Sequence, residues 1–368
     1  MEEKAVNPFT PNFGEAPAYL AGRDNIVDSL RLALTSPRRR PELSSIFYGA
    51  RGTGKTALLS VASQIARENG WLVVRTSAVE GMLRDIELGL TRQAEHLITT
   101  NGGVQISKVG IPNLVEVELN HSPDASSWRY RMEDILDALD KYGTGVLVTV
   151  DEVDAELPEL ISLASYYQIF VGDNRKIGLM MAGLPHNVSQ LTSQKSVSFL
   201  RRAQQFRLGR ISDTDVKQAL TKTVSDGGRT IQAAALDQAA QAIDGFAYML
   251  QLVGFRSWEV HPNAEEITAA DVEVGNSVAR AELSDHILSA TFRGLSKAEV
   301  KFVTAMLPDP LWSEVSEITQ RVGWSSDQTA QYRRRLIDKG VIGEFSRGSV
   351  QFELPYFRQY VESMRNLD

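Results

Sequence analysis

Ser45-Ile46-Phe47-Tyr48-Gly49-Ala50-Arg51-Gly52-Thr53-Gly54-Lys55-Thr56-Ala57 is the stretch on which the fold turns. Its first four residues read as a short apolar strand, and Gly49 to Thr56 matches G-x-x-x-x-G-K-[ST] in full. From Thr56 to Glu68, Leu59, Ala62, Ile65 and Ala66 fall on one helical face, and Asn69-Gly70 stops the helix. Strand, glycine loop and helix, in that order, are what phosphate binding requires. The glycines let the backbone of Gly49, Ala50, Arg51, Gly52, Thr53 and Gly54 wrap an anion with its N–H groups aimed inward. The helix start, through Ala57, adds its positive end to the same anion. Lys55 is expected to reach the β- and γ-phosphates of a nucleotide, and the Thr56 hydroxyl to ligate Mg²⁺.

A phosphate loop binds; hydrolysis needs further groups. Val146-Leu147-Val148-Thr149-Val150-Asp151-Glu152 is a buried strand that delivers two carboxylates at its C-terminal end, where ligands sit in open α/β sheets. Asp151 is the candidate Mg²⁺ holder and Glu152 the candidate catalytic group that polarises an attacking water. Asp154 reads as a helix N-cap. No Asn/Thr-Lys-x-Asp sequence for reading guanine is present, so ATP is the expected nucleotide.

Around these motifs strands and helices alternate. Trp71–Val74, Val146–Val150, Ile177–Ala182 and Gln205–Leu208 read as further strands, and helical stripes lie between them. Near-continuous apolar runs in the strands mean a parallel sheet covered by helices on both faces, an α/β fold. Residues 104–119 alternate apolar and polar around Gly110-Ile111-Pro112-Asn113 and read as a β-hairpin insertion. Residues 7–22 read as an extended arm. Arg38-Arg39-Arg40, between Pro37 and Pro41, is either a solvated turn or a phosphate-contacting patch.

After about residue 210 the strand signal ends, and four helical stretches follow, from Ser212 to Phe292. The organisation expected is a P-loop nucleotide-binding domain at 1–210, a helical lid domain at 211–292 and a third domain at 293–368. In the last, two apolar stripes precede a helix opening at Ser325-Ser326 that carries Arg333-Arg334-Arg335. A hairpin with Arg347-Gly348 at its turn follows.

The composition bounds the class. The chain has 368 residues, 43% hydrophobic and 23% charged, which is a globular balance. It has no cysteine, which excludes disulfides and thiolate zinc sites, and its five histidines lack metal-ligand spacing. No apolar run is long enough to span a bilayer, and the acidic start is unlike a signal peptide, so no membrane is expected and the cytoplasm is the default compartment. A formal charge of −7 argues against a protein that coats nucleic acid with its whole surface, though one small basic reading surface is compatible with it.

With these residues in place the chain resembles the AAA+ ATPases. Within them it is similar to the origin-recognition-like and archaeal/bacterial ATPases grouped near the STAND NTPases, over nearly its whole length. The resemblance implies strand order 5-1-4-3-2, with the nucleotide over strand 1. It places Ala21-Gly22-Arg23-Asp24 beside the adenine, so that Gly22 and Arg23 join the nucleotide set. Arg201 and Arg202 match an arginine that such families aim at the γ-phosphate, Arg202 being the catalytic candidate, in cis or, in a homo-oligomer, in trans. Gly183-Leu184-Pro185 stands where a polar sensor residue belongs and none is present; His186 and Asn187 are the substitutes. Gly245-Phe246-Ala247-Tyr248 with Gln251 and Gly254 resembles the family's lid helix, with Ala247 in place of a proline and no sensor arginine.

The last domain resembles a winged helix-turn-helix, which implies contacts of Arg333 and Arg334 on the third helix, and Arg347 on the wing, with double-stranded DNA; a protein partner is the other reading. The function expected is hydrolysis of ATP to ADP with Mg²⁺, driving a switch that repositions the winged helix. The alternative is a nucleotide-binding regulatory module with negligible turnover.

Overall fold

The computed structural model describes residues 6–12, 15, 17–101 and 125–365. The chain enters through α1 (Asp24–Thr35), whose Leu30, Ala33 and Leu34 are buried. It then alternates: β1 (Ser44–Tyr48), α2 (Lys55–Glu68), β2 (Leu72–Ser77), α3 (Met82–Asn101), α4 (Ala125–Asp140), β3 (Val146–Asp151), α5 (Pro158–Gly172), β4 (Ile177–Gly183), α6 (Pro185–Ser193) and β5 (Gln204–Arg207). The five strands form one parallel sheet in the order β2-β3-β4-β1-β5, which is the 5-1-4-3-2 arrangement.

Why the strands read as unbroken apolar runs follows from the pleat, which sends successive side chains to opposite faces. Ile46, Val146, Val148, Val150, Leu179 and Met181 join one core with α3, α4, α5 and α6. Their neighbours Phe47, Leu147, Met180 and Ala182 join another with α1 and α2. Phe47 stacks on Phe206 of β5 with centroids 5.5 Å apart, closing the second core at the sheet edge.

Beyond β5 come α7 (Asp213–Asp226), β6 (Thr230–Ile231), α8 (Ala233–Ile243), α9 (Ala247–Val260), β7 (Glu266–Ile267), α10 (Ala269–Leu283), one π turn over Ser284–Leu288, and α11 (Ser289–Arg293). The last unit is α12 (Lys297–Ala305), β8 (Ser313–Glu314), α13 (Val315–Val322), α14 (Ser326–Asp338), β9 (Ile342–Ser346), β10 (Ser349–Phe352) and α15 (Phe357–Arg365). Strands β9 and β10 form the expected hairpin, and β8 adds a third antiparallel strand. A single buried cluster runs without a break from Phe9 in the arm through α7–α10 into α12–α15.

Several readings need correction. Strand pairing persists beyond residue 210, because β6 and β7 pair over two residues each, too short to leave a periodic signature. Trp71 precedes β2 rather than opening it; its indole N–H donates to Leu34 O at 2.9 Å and ties α1 to the sheet. Asp154 is not a helix N-cap: Leu157 holds that position at α5, and the Asp154 carboxylate accepts from Glu156 N–H at 2.9 Å, an Asx turn. Arg39 is exposed on the turn after α1, as the solvated-turn reading has it, but its side chain is anchored. It donates to Ile177 O at 2.8 Å and to the Tyr167 hydroxyl at 2.5 Å, with its guanidinium over that ring. The hairpin read at 104–119 lies outside the described residues.

Candidate functional site

β1 ends at the sheet's carboxyl edge, between β4 and the edge strand β5, and the glycine loop leaves it there. The loop is held from below by its neighbours. A Cβ at Gly49 would stand 2.3 Å from Leu208 O, so the chain leaving β5 excludes any side chain there. Gly52 lies at φ +75°, and a Cβ on it would meet the Phe246 ring at 2.5 Å. Only glycine satisfies both the backbone and the space at that point. The N–H of Tyr248, in the first turn of α9, donates to Gly52 O at 3.1 Å. The Thr53 hydroxyl donates to Ala50 O at 2.9 Å and completes the curl.

Lys55 opens α2, and its ammonium folds back over the loop, donating to Gly49 O at 3.0 Å and Ala50 O at 2.8 Å. Burial pushes its pKa down to about 8, with Arg51 acting in the same direction and the carboxylates of Asp151 and Glu152 opposing it. A lysine kept in such surroundings is poised for an anion that supplies the missing countercharge.

The Thr56 hydroxyl donates to Asp151 Oδ2 at 2.6 Å, so a residue from the first turn of α2 meets one from the end of β3. The other carboxylate oxygen, Oδ1, accepts from Glu152 N–H at 2.9 Å. Glu152 itself is exposed and sits at φ +53°, a left-handed conformation that costs a non-glycine residue and turns the chain sharply off the strand. Hydroxyl and carboxylate oxygens at one point form a hard donor set that suits Mg²⁺. Among the described residues no cluster of three or more His, Cys, Asp or Glu could hold a metal by itself. An ion at Thr56 and Asp151 would therefore draw its remaining ligands from phosphate and water, as Mg²⁺ commonly does.

Beside the loop a pocket is lined by Pro17, Tyr19, Leu20, Ala21 and Arg23 from the arm, by Thr53 and Gly54, and by Ile211, Ala247, Leu250 and Gln251. Its lining is mainly apolar, with Tyr19, Arg23, Thr53 and Gln251 bringing the polar side chains. Arg23 lines it but donates to Gly209 O at 2.5 Å; burial lowers its pKa, against the charge of Asp215. Gly22, at φ +63°, makes the turn that brings Arg23 in. Gln251 accepts from Thr10 N–H at 3.0 Å and so fastens the arm to α9.

The other candidates are spread more widely. Asn187 donates to Val153 O at 2.6 Å, and His186 Nδ1 lies 3.3 Å from Asp338 Oδ2 at the end of α14. Burial raises the Asp338 carboxyl, while His186 and Arg334 pull it down. Arg201 is tied to Thr192 O at 3.0 Å and Arg202 is exposed. On α14, Arg333 pairs with Glu344, whereas Arg334 and the turn residue Arg347 are exposed. Sequence reasoning missed the grip of Phe246, Tyr248 and Leu208 on the loop, and the pairing of His186 with Asp338. These pairs lie far apart in the chain and carry no local signature.

Sheet order, glycine loop, strand-end carboxylates and helical tail together make a P-loop α/β fold with a helical extension. Among solved structures, the Aeropyrum pernix ORC2 protein, determined in ADPNP–ADP complexes, is similar at a TM-score of 0.65 and 16% identity, with 97% of each chain covered. A Walker-type ATPase of Pyrococcus abyssi is similar at 0.67 and 12% identity, over 93% of this chain and 96% of that one. The ADP form of the Aeropyrum pernix protein gives 0.54 and 17%, over 97% and 96%. At these identities the likeness is one of fold. The model of a family described as a domain of unknown function (DUF8462) matches residues 285–361. No curated protein matches the chain in sequence.

Proposed function

We propose that the chain binds ATP with Mg²⁺, hydrolyses it to ADP and phosphate, and uses the cycle to switch the position of its C-terminal unit. The observation that carries this reading is the 2.6 Å bond between Thr56 and Asp151, which joins the phosphate loop to the strand end bearing Glu152. In this reading the loop N–H groups and Lys55 orient the phosphates, and the arm and α9 hold the base. Glu152 accepts a proton from the water whose oxygen attacks the γ-phosphorus in line, as the bond to the β,γ-bridging oxygen breaks and ADP leaves. Thr56 and Asp151 would hold Mg²⁺, which when bound neutralises charge on the β- and γ-phosphates.

Arg202, exposed on the turn before β5, supplies transition-state charge in cis or from a second copy. Residues 1–210, 211–292 and 293–368 serve as nucleotide-binding core, lid and winged helix, and Arg334 and Arg347 are free to meet a DNA duplex. Glu152→Gln tests the catalytic reading. Phosphate release should fall at least about a hundredfold, on the scale of general-base removal, while a fluorescent ATP analogue still binds. Turnover equal to wild type would end Glu152's assignment.

Two observations favour other readings of particular parts. Both polar substitutes after β4 are engaged elsewhere, Asn187 with Val153 O and His186 with Asp338, which favours slow turnover or a purely nucleotide-binding role. Trp312 and Phe345 stand exposed beside the wing with rings stacked at 5.7 Å, and exposed Leu311 adjoins them in sequence, which favours a protein partner over DNA.

A further inference from the structure

The C-terminal unit meets the rest of the molecule on two sides, toward α7–α10 and toward α6 and the phosphate loop. Toward α7–α10 the contact is a continuation of one apolar core, in which Val216, Leu250 and Val272 share a buried cluster with Phe302, Leu336 and Phe357. Polar ties reinforce it. The Tyr356 hydroxyl donates to Ala242 O at 2.6 Å, the Arg280 guanidinium lies 4.4 Å from the Tyr356 ring, and Arg210 bridges Asp244 at 2.6 Å and Phe352 O at 3.3 Å. The shared core and these ties couple the two units.

Toward the nucleotide-binding core α14 packs against α6, and the turn after α14 reaches the phosphate loop. Gly340, at φ +68°, ends the turn after α14 and is seated on Ala50: a Cβ there would lie 3.3 Å from Ala50 Cα and 3.9 Å from Leu184 Cδ2. The partly exposed pair of His186 and Asp338 stands beside it, and such a pair contributes little in water. Yet this contact falls on a sensitive residue. Ala50 O is the acceptor, at 2.8 Å, of the Lys55 ammonium, which must turn from the loop carbonyls to a phosphate when nucleotide arrives. A backbone that close to the turn cannot rearrange without disturbing it.

We infer that the Asp338–Gly340 turn is a nucleotide-sensitive latch: the body formed by α7–α15 rests through it on the phosphate loop and is released when nucleotide fills the loop. The inference rests on the ATP-binding reading above and specifies how that site is regulated. The pivot is the start of α9, where Tyr248 N–H holds Gly52 O and Phe246 backs the same glycine. Lid and C-terminal unit therefore swing as one body about the loop. The C-terminal unit does not swing alone on a flexible tether.

The absence of cysteine makes the test clean, because two introduced thiols are the only ones present. In His186→Cys/Asp338→Cys a short bismaleimide should join the two positions readily without nucleotide. With saturating non-hydrolysable ATP analogue and Mg²⁺ the rate should fall at least about fivefold, a shift of the size differential ligand affinity can impose. Analogue occupancy is measured on the same samples with a fluorescent probe. Analogue bound and cross-linking unchanged overturns the latch and leaves ATP binding intact. No binding, in this variant and in wild type alike, removes both. In a cysteine-free background, Asp338→Ala and Asp338→Asn should bind the analogue about two- to fivefold more tightly, because one exposed pair no longer competes. Equal or weaker affinity in either variant, with a wild-type urea midpoint, overturns the latch as well.

Discussion

Replacing Lys55 by methionine should make the nucleotide-free protein more stable while abolishing its response to ATP. The ammonium is largely buried, donates only to two carbonyls, and is held at about 8 rather than the ordinary 10.5. That gap corresponds to about 3 kcal/mol by which the folded state disfavours the charge. Losing two hydrogen bonds returns about 1 kcal/mol each, so the expected net gain at pH 7 is about 1–2 kcal/mol. The pH dependence has a definite sign. Below about 8 the lysine is charged in both states, and the folded protein bears the full cost. Between about 8 and 10.5 the unfolded chain binds more protons, so wild type gains stability as pH rises and the methionine variant's advantage shrinks. Urea midpoints at pH 7 and pH 9.5 measure both effects. Adding ATP and Mg²⁺ at about a hundred times the dissociation constant should stabilise wild type by about 2.7 kcal/mol and the variant by nothing. A variant less stable than wild type at pH 7, or one still stabilised by ATP, would refute the placement of the lysine as a buried, uncompensated charge awaiting phosphate.

If Arg202 acts from a second copy, the specific activity of wild type should rise with protein concentration, and Arg202→Ala should lose that rise together with most of its turnover. Constant specific activity from a monomer at every concentration would remove the role in trans. For the C-terminal unit, groove binding predicts an affinity for mixed-sequence duplex that falls with salt, with a shallower slope in Arg334→Ala/Arg347→Ala. Absence of binding at low salt, with or without ATP, would assign the unit to protein contacts.

The parts legible in the sequence are those whose physics is local. Gly49–Thr56 announces itself because anion binding needs that residue order within eight positions. Asp151 and Glu152 follow because a buried strand can end in two acids only where ligand or water meets them. The alternation of strands and helices, with the resemblance it supported, led to the observed sheet order. Readings failed where the deciding partner was distant. Arg39 is exposed as its run implies, but its anchoring to Tyr167 and Ile177, more than a hundred residues on, could not be read. Asp154 has the residue type of an N-cap, but Pro158 opens α5 and leaves Leu157 at the N-cap, and the Asp154 carboxylate accepts from Glu156 N–H instead. The weak pairing of β6 with β7 was invisible because two-residue strands leave no period to read.

The arm's docking on α9 bears on the order in which the chain can assemble. Asn7 donates to Phe255 O across 248 residues of sequence. Closing a free loop of that size costs about 5 kcal/mol, more than this bond and its neighbour to Gln251 return. The parallel sheet removes most of that cost, because it brings the two ends of the core together: Arg23, after the arm, already bonds Gly209, after β5. Once those residues are joined, the arm need close only a short span to place Phe9 against α9. The arm's docking is therefore favourable only where the sheet and the helices after it already hold its partners, and the pocket it covers needs both in place.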